Sequence, residues 1–328
     1  MNYTQLPKIE LHLHLDCSLS YTVVKALDPT ISLQQYEQAF VAPTVCADLR
    51  DYLTRAEKGF SLMQTPEQLR LVTLDLLQQL EADRVLYAEI RFAPLLHTTK
   101  GLTPTQVVEA VQTALQEGAA RYKVIPRLIL CTLRHFTEQQ SLETAALTRQ
   151  FFGQGWVVGF DMAGDEAGYG VLAHKEAFAM IKENSIPFTV HAGEAAGPAS
   201  MWEVIRELGP QRIGHGVRSI EDPLLVDYLI EKNIHLEVCP TSNLQTNIFS
   251  SMSAHSLGAL YRQGVSMSLS TDARMITPIT LSSEYQQVHM AFGWGRSELL
   301  ACNLQALQHA FIEEKLRAPL RQQIMEAY

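Results

Sequence analysis

Two imidazoles two residues apart, His12 and His14, are where this chain could first do chemistry; they stand in the run Ile9-Glu-Leu-His-Leu-His-Leu-Asp16. In a strand, side chains at i and i+2 share a face. The pair would then offer two neutral nitrogen donors side by side, as a cation requires. Ile9, Leu11, Leu13 and Leu15 make the opposite face apolar and fit it for burial. Taken alone, the pair is equally compatible with two core histidines whose nitrogens are satisfied by hydrogen bonds.

Polar residues recur at the ends of later apolar runs: Asp161-Met-Ala-Gly-Asp-Glu166, His191-Ala-Gly-Glu194, Gly214-His-Gly216 and Ser270-Thr-Asp272. Three histidines and one aspartate (His12, His14, His191 and Asp272) would form a nitrogen/oxygen site suited to zinc first, with iron, cobalt or manganese behind it. A water held by such a cation becomes acidic, with a pKa of about 7. His215 is the candidate base for that water. Glu194, three residues past His191, is the candidate acid, because an enclosed carboxyl can keep its proton near neutral pH. Each residue also has a plainer reading. His215 could be a turn residue between glycines, Asp272 a helix N-cap, Glu194 a first-turn carboxylate, and Asp161 and Glu166 loop acids or arginine partners. His97, His135, His174, His235, His255, His289 and His309 show no partner pattern. The joint occurrence at successive strand ends is what favours a site.

These residues need a frame. Short apolar runs predict eight strands: Ile9–Asp16, Val85–Phe92, Val124–Thr132, Val157–Met162, Phe188–Glu194, Arg212–Gly216, His235–Cys239 and Ser266–Thr271. Amphipathic stretches between them predict helices over Glu67–Asp83, Thr103–Arg121, Ser141–Phe152, Gly170–Glu183, Ala199–Leu208, Asp222–Lys232 and Ala254–Gln263. Strand and helix alternating in this way argue for parallel pairing, and the length suits a single (β/α)8 TIM barrel over residues 1–328; a doubly wound open sheet is the alternative. Tyr21–Thr65 reads as a helical insertion after strand one, lying over the barrel mouth. Leu281–Tyr328 reads as a helical C-terminal tail with breaks near Gly293–Gly295 and Pro319. In such a barrel, chemistry sits at the carboxyl ends of the strands.

With 47% hydrophobic and 19% charged residues among 328, a substantial core is expected. A net charge of −9 without a dense basic run argues against nucleic acid as a partner. No basic-then-apolar leader and no run of membrane-spanning length is present, so a cytoplasmic protein with no membrane partner is expected. Five widely spaced cysteines without C-x-x-C argue against disulfides or a cysteine zinc cluster. Nothing in the sequence speaks to oligomeric state.

Leu6–Asp16, Phe160–Glu166, Val190–Glu194, Arg212–Val217, Glu237-Val-Cys-Pro-Thr-Ser-Asn243 and Ser268–Asp272, in this order and over nearly the whole length, resemble the adenosine deaminase family of the metal-dependent hydrolase superfamily. The resemblance implies a (β/α)8 barrel with one catalytic Zn2+, iron or another divalent ion remaining open. It implies His12, His14, His191 and Asp272 as ligands and His215 as the residue that orients and deprotonates the attacking water. It further implies Glu194 as proton donor to purine N1, Gly164 as the backbone N–H that meets N3, and Asp16 as the carboxylate on a ribose hydroxyl. The partner implied is a small-molecule purine nucleoside, deaminated to a 6-oxopurine with release of ammonia.

Two positions depart from the family pattern. A second aspartate, which contacts N7, usually follows the metal-binding one; here Ala273 and Arg274 follow Asp272. A glycine usually follows the first motif; here it is Cys17-Ser18. Both changes touch substrate recognition and leave the metal site alone. Arg274 could meet a phosphate or carboxylate on the substrate, or pair with a surface acid. The readings left standing are adenosine or a related 6-aminopurine nucleoside, the same chemistry on another aminated purine, nucleotide or heterocycle, and a non-catalytic binding relative. The intact His12, His14, His191, Glu194, His215 and Asp272 argue against the last.

Overall fold

A computed structural model describes residues 2–328. All eight expected strands form: β1 (Lys8–His14), β2 (Val85–Phe92), β3 (Ile125–Leu133), β4 (Val157–Ala163), β5 (Thr189–Ala192), β6 (Arg212–His215), β7 (His235–Val238) and β8 (Met267–Leu269). Every pairing is parallel, in the orders β1-β2-β3-β4 and β5-β6-β7-β8. Single parallel bridges join the two halves, Phe160 with Phe188 on one side and Leu13 with Asp272 on the other. At the second seam Asp272 N–H donates to His12 O (3.1 Å) and His14 N–H to Asp272 O (2.8 Å), which closes the (β/α)8 barrel.

The alternation in β1 explains its place. Ile9 and Leu11 pack outward against Ala306, Leu307, Leu320 and Ile324, while Lys8, Glu10 and His12 are fully buried on the lumen side. Other strands also carry buried charge, at Glu89, Arg91, Asp161, Arg212 and Glu237. A lumen of this kind is stable only if its charges are paired, and they are, as described below.

After β1 come four short helices, α1 (Tyr21–Leu27), α2 (Leu33–Phe40), α3 (Leu49–Leu53) and α4 (Ala56–Ser61), followed by α5 (Pro66–Ala82). The expected insertion is therefore helical, and Leu49, Tyr52, Leu53, Ala56 and Phe60 line cavities at the strand ends. The crossovers are α6 (Pro104–Arg121), α7 (Glu138–Phe151), α8 (Lys175–Glu183), α9 (Pro198–Glu207) and α10 (Pro223–Glu231); α11 (Pro240–Gln245) and α12 (Leu257–Gln263) both lie between β7 and β8. The tail forms α13 (Leu281–Phe292), α14 (Arg296–His309) and α15 (Glu314–Ala327) and packs on the barrel.

Three features of the helices depart most from expectation. The helix expected from Gly170 begins at Lys175, after a 3-10 turn over Leu172–His174. The short α11 was not foreseen, since six residues give too few turns for a periodic signal. Pro319 lies inside α15 rather than breaking it. Pro319 and Lys315, whose carbonyl loses its partner, are both exposed, so water can take the orphaned acceptor. The real break is at 310–313.

All five cysteines are free and buried. Among the described residues, no helix is long and apolar enough to cross a membrane.

Candidate active site

The expected site residues converge at the carboxyl ends of the strands. His12 and His14 end β1, His191 lies on β5, His215 is the last residue of β6, and Asp272 follows β8 at the barrel seam. His215 and Asp272 adopt left-handed backbone, with φ of 63° and 64°. For a residue with a Cβ this costs about 1–2 kcal/mol, and such strain gathers where a side chain must be aimed. Gly214 is required by packing: a Cβ there would come within 2.8 Å of His12 Cε1.

One nitrogen or oxygen from each of His12, His14, His191 and Asp272 lies within 4.8 Å of the others, a group that could hold a metal ion. Asp272 Oδ1 is 3.4 Å from His12 Nε2 and 3.5 Å from His14 Nε2. Its other oxygen accepts from Ser242 Oγ at 2.7 Å. Two observations fit a cation. Among the described residues, the buried His12 Nε2 has no hydrogen-bond partner. His14 Nε2 and His191 Nε2 face each other at 3.1 Å, a contact that needs either a proton or a cation between the two nitrogens. Burial pushes His14 down to about 3 and lowers His191 as well, leaving both as neutral donors. His12 is held above its usual value: burial and Arg91 oppose its charge, but the neighbouring carboxylates of Asp272 and Glu237 outweigh them. A cation would displace that proton.

Carboxylates behind the rings fix their orientation. His12 Nδ1 meets Glu237 Oε2 at 2.8 Å, and His191 Nδ1 meets Asp161 Oδ1 at 3.2 Å. A carboxylate on Nδ1 selects the tautomer whose Nε2 carries the free lone pair. The Arg91 guanidinium bridges the two acids, reaching Asp161 Oδ2 at 2.7 Å and Glu237 Oε2 at 2.8 Å. Arg212 in turn joins Glu237 (2.7 Å) to Glu89 (2.6 Å). Sequence patterns alone do not single out Glu237, Arg91 or Arg212; of the two plainer readings of Asp161, solvated loop acid and arginine partner, the second holds, since it is buried and bonds both Arg91 and His191. The available signal was an acidic or basic residue in mid-strand among apolar neighbours.

Glu194 and His215 sit beside this group, with His215 Nε2 at 3.5 Å from Glu194 Oε2. Glu194 Oε1 accepts from Asn243 Nδ2 and Thr246 Oγ1, both at 3.3 Å, and Asn243 Nδ2 lies 3.2 Å from His215 Nδ1. Burial, then the negative charges of Asp272 and Glu166, push the Glu194 carboxyl well above the ordinary glutamate range. Burial pushes His215 well below its usual value. Both shifts favour the uncharged forms, a carboxyl that keeps its proton and an imidazole free to take one. Glu166 lies in the loop after β4 but is buried rather than solvated: it accepts the N–H groups of Gly193, Glu194 and Ala196 and so shapes the turn that carries Glu194.

A cavity of about 50 Å³ lies against His14, Gly164, His191, Glu194, His215 and Asp272. A larger cleft of about 540 Å³ shares His14, Cys17, Leu53, Ala163 and Gly164 with it and extends past Asp16 to Arg50, His135 and Tyr169. Gly164, with φ of 102°, occupies a backbone region that other residues rarely adopt. Asp16 is held below the usual carboxylate range; burial opposes its charge, but His97 and the Ala93 N–H outweigh it. Ala273 and Cys17 both line the small cavity. Arg274 takes neither of its two expected roles. It is buried and bonded to Glu10 Oε2 at 2.7 Å and Asp83 Oδ2 at 3.2 Å, acids that are buried rather than on the surface.

The family described as Adenosine deaminase matches residues 7–327. Adenosine deaminase of Enterococcus faecalis is 36% identical over 99% of this chain and 97% of its own length. Among solved structures, the Arabidopsis N6-mAMP deaminase MAPDA superposes with a TM-score of 0.89 at 26% identity, covering 100% of both chains. The adenine deaminase of Arthrobacter aurescens does so with a TM-score of 0.90 at 22% identity, covering 98% of each, a likeness of fold. Full-length agreement at this level, on a barrel with this cluster at its strand ends, identifies a hydrolytic deaminase: the chain belongs to the adenosine deaminase family.

Proposed function

We propose that this chain is a zinc-dependent aminohydrolase of adenosine or a closely related 6-aminopurine nucleoside, with residues 1–328 acting as one domain. The observation that carries the reading is the convergence of His12, His14, His191 and Asp272 within 4.8 Å, beside Glu194 and His215. Three imidazoles and one carboxylate suit zinc, and these four residues would hold it. When bound, the ion supplies Lewis acidity, lowering the pKa of a water to about 7.

The chain's own residues do the rest. Neutral Glu194 gives its proton to purine N1, which makes C6 more electrophilic and cancels the charge that attack would place on the ring. Neutral His215 receives the proton of the attacking water. The C6–N6 bond breaks as the amino group takes the proton held by His215 and leaves as ammonia, and the C6 hydroxyl gives its remaining proton to the Glu194 carboxylate as the carbonyl forms. The Gly164 N–H meets N3 and the Asp16 carboxylate takes a ribose hydroxyl, so the ring is held by the edge that does not react. An ionised Asp16 also disfavours a substrate phosphate, which supports a nucleoside over a nucleotide. Soluble small purines are thus the expected partners, with neither nucleic acid nor membrane involved, consistent with a cytoplasmic enzyme.

Purified protein should contain about one zinc per chain, as expected for this ligand set, and lose activity to a chelator. Ammonia release from adenosine, 2′-deoxyadenosine, adenine, AMP and N6-methyl-AMP should be greatest for the nucleosides. A chelator-insensitive protein, or one preferring AMP, would overturn the reading.

Ala273 favours a broader purine range at the same site. It lines the small cavity and has no side-chain hydrogen bond to offer N7. A hydrogen bond lost to a buried polar atom is worth about 1–3 kcal/mol, or roughly 5- to 160-fold in rate. 7-Deazaadenosine, which lacks the N7 acceptor, should therefore be processed within about tenfold of adenosine. Ala273→Asp should widen that gap in kcat/KM, and an unchanged ratio would mean that Ala273 does not face the imidazole edge of the base.

A further inference from the structure

Glu284 lies in the first turns of α13, outside the barrel strands, yet it is fully buried and reaches the active-site side of the molecule. Its Oε1 accepts the backbone N–H of Thr241 at 2.9 Å. Thr241 is the second residue of α11, and the first, Pro240, has no N–H, so this is the first donor that helix can offer. α11 and its C-cap carry three side chains that touch the reaction centre: Ser242 on Asp272, Asn243 on both Glu194 and His215, and Thr246 on Glu194. Among the described residues, Glu284 Oε2 and Thr241 Oγ1 are both buried without a hydrogen-bond partner, two polar atoms at one contact.

We propose that Glu284 is a positioning residue for the deamination: through the Thr241 N–H it fixes α11, and through α11 it aims Glu194, His215 and Asp272. It touches no substrate and no reacting atom. A helix of six residues has little rigidity of its own, so its anchoring sets how well the three side chains are aligned. The inference rests on the proposed reaction, and turnover by the wild-type protein tests that reaction separately.

The anchor carries a pH dependence. Burial pushes the Glu284 carboxyl up to about 8, and Glu10 adds to the rise while the Thr241 contacts oppose it. The ionisable groups bearing on it are Glu10 on β1 and Cys239 at the end of β7; Arg274 is bonded to Glu10. An unfolded glutamate releases its proton near about 4.3. The folded chain thus binds the extra proton between these values. The stabilisation is complete below about 4 and is lost as pH rises through about 8. Ionised Glu284 leaves a buried, unpaired oxygen facing like charge on Glu10, which loosens the α11 anchor.

Three measurements test this. Glu284→Leu should lower kcat about 10²-fold, the scale of a small misplacement of catalytic groups, with little change in KM. Glu284→Gln, which keeps the acceptor and cannot ionise, should restore most of that kcat and remove the component of the alkaline fall in kcat centred near pH 8 that is expected of the wild type, leaving only the fall set by Glu194. The melting temperature of wild type should decline between pH 5 and 9 more steeply than that of Glu284→Gln, a readout independent of turnover and available even if the Leu variant does not fold. Superimposable kcat and melting profiles for wild type and Gln, or a Gln variant as impaired as Leu, would overturn the assignment.

Discussion

Glu194→Gln is expected to lower kcat by about 10²–10⁴-fold, the contribution of a positioned general acid, while metal content and melting temperature stay close to wild type. Glutamine has the same shape and keeps an oxygen for the Asn243 and Thr246 donors that now bond Glu194 Oε1. It has no acidic proton to give. The wild-type carboxyl holds one because burial and the nearby negative charges of Asp272 and Glu166 raise its pKa. The protonated form therefore persists above the ordinary glutamate range, and activity that depends on it should fail on the alkaline side of the optimum. Metal analysis with stopped-time ammonia assays checks the substitution. A Gln variant with near-normal turnover would remove Glu194 from the proton transfer, and one that had lost its metal would place it in ligand support.

Arg91→Met should cost the fold about 3–5 kcal/mol, the penalty for leaving buried carboxylates without their counter-ion. Arg91 is completely buried and pairs with Asp161 and Glu237 at 2.7 and 2.8 Å. Glu237 would retain Arg212, but Asp161 would keep only His191 as a cationic or hydrogen-bonding side-chain partner of strength, its Cys131 contact being a weak one at 3.8 Å. Against a typical total stability of about 5–15 kcal/mol this is a large fraction. Denaturant unfolding measures it directly, and a loss below about 1 kcal/mol would mean that the network tolerates its missing centre. Arg91→Lys should recover only part of the loss, because a single ammonium cannot span two acids as a planar fork does. Both variants should also weaken metal retention, since the acids that Arg91 holds are those behind His12 and His191.

The strands, and the residues that converge where they end, were legible because parallel barrel strands are short apolar runs and polar residues stand out at their ends. β1 shows this best: its alternation of leucine with histidine gave both the buried face and the paired donors. Strand ends were less legible. β5 and β8 are shorter than their apolar runs, because the backbone turns into the site at Gly193 and Asp272 while the composition stays the same. The lumen charges were hidden for a different reason. A single Glu in His-Leu-Glu-Val looks like a solvent-facing position until the strand is known to line a closed barrel. Arg274 was misjudged because its partners, Glu10 and Asp83, lie far from it in sequence. The tail Leu281–Tyr328 was readable as helix, but its packing on β1 was not, since the match of Ile9 and Leu11 to Ala306 and Leu307 exists only in three dimensions.

The seam between Leu13 and Asp272 has a consequence for how the protein is born. His12 and His14 emerge early in synthesis and His191 past the midpoint, but the fourth donor belongs to the segment that shuts the ring. A nascent chain stopped before Met267 would own three imidazoles, no matching carboxylate and an open cylinder. On the proposed ligand set, completion of the ion site and completion of the architecture thus arrive in one late event.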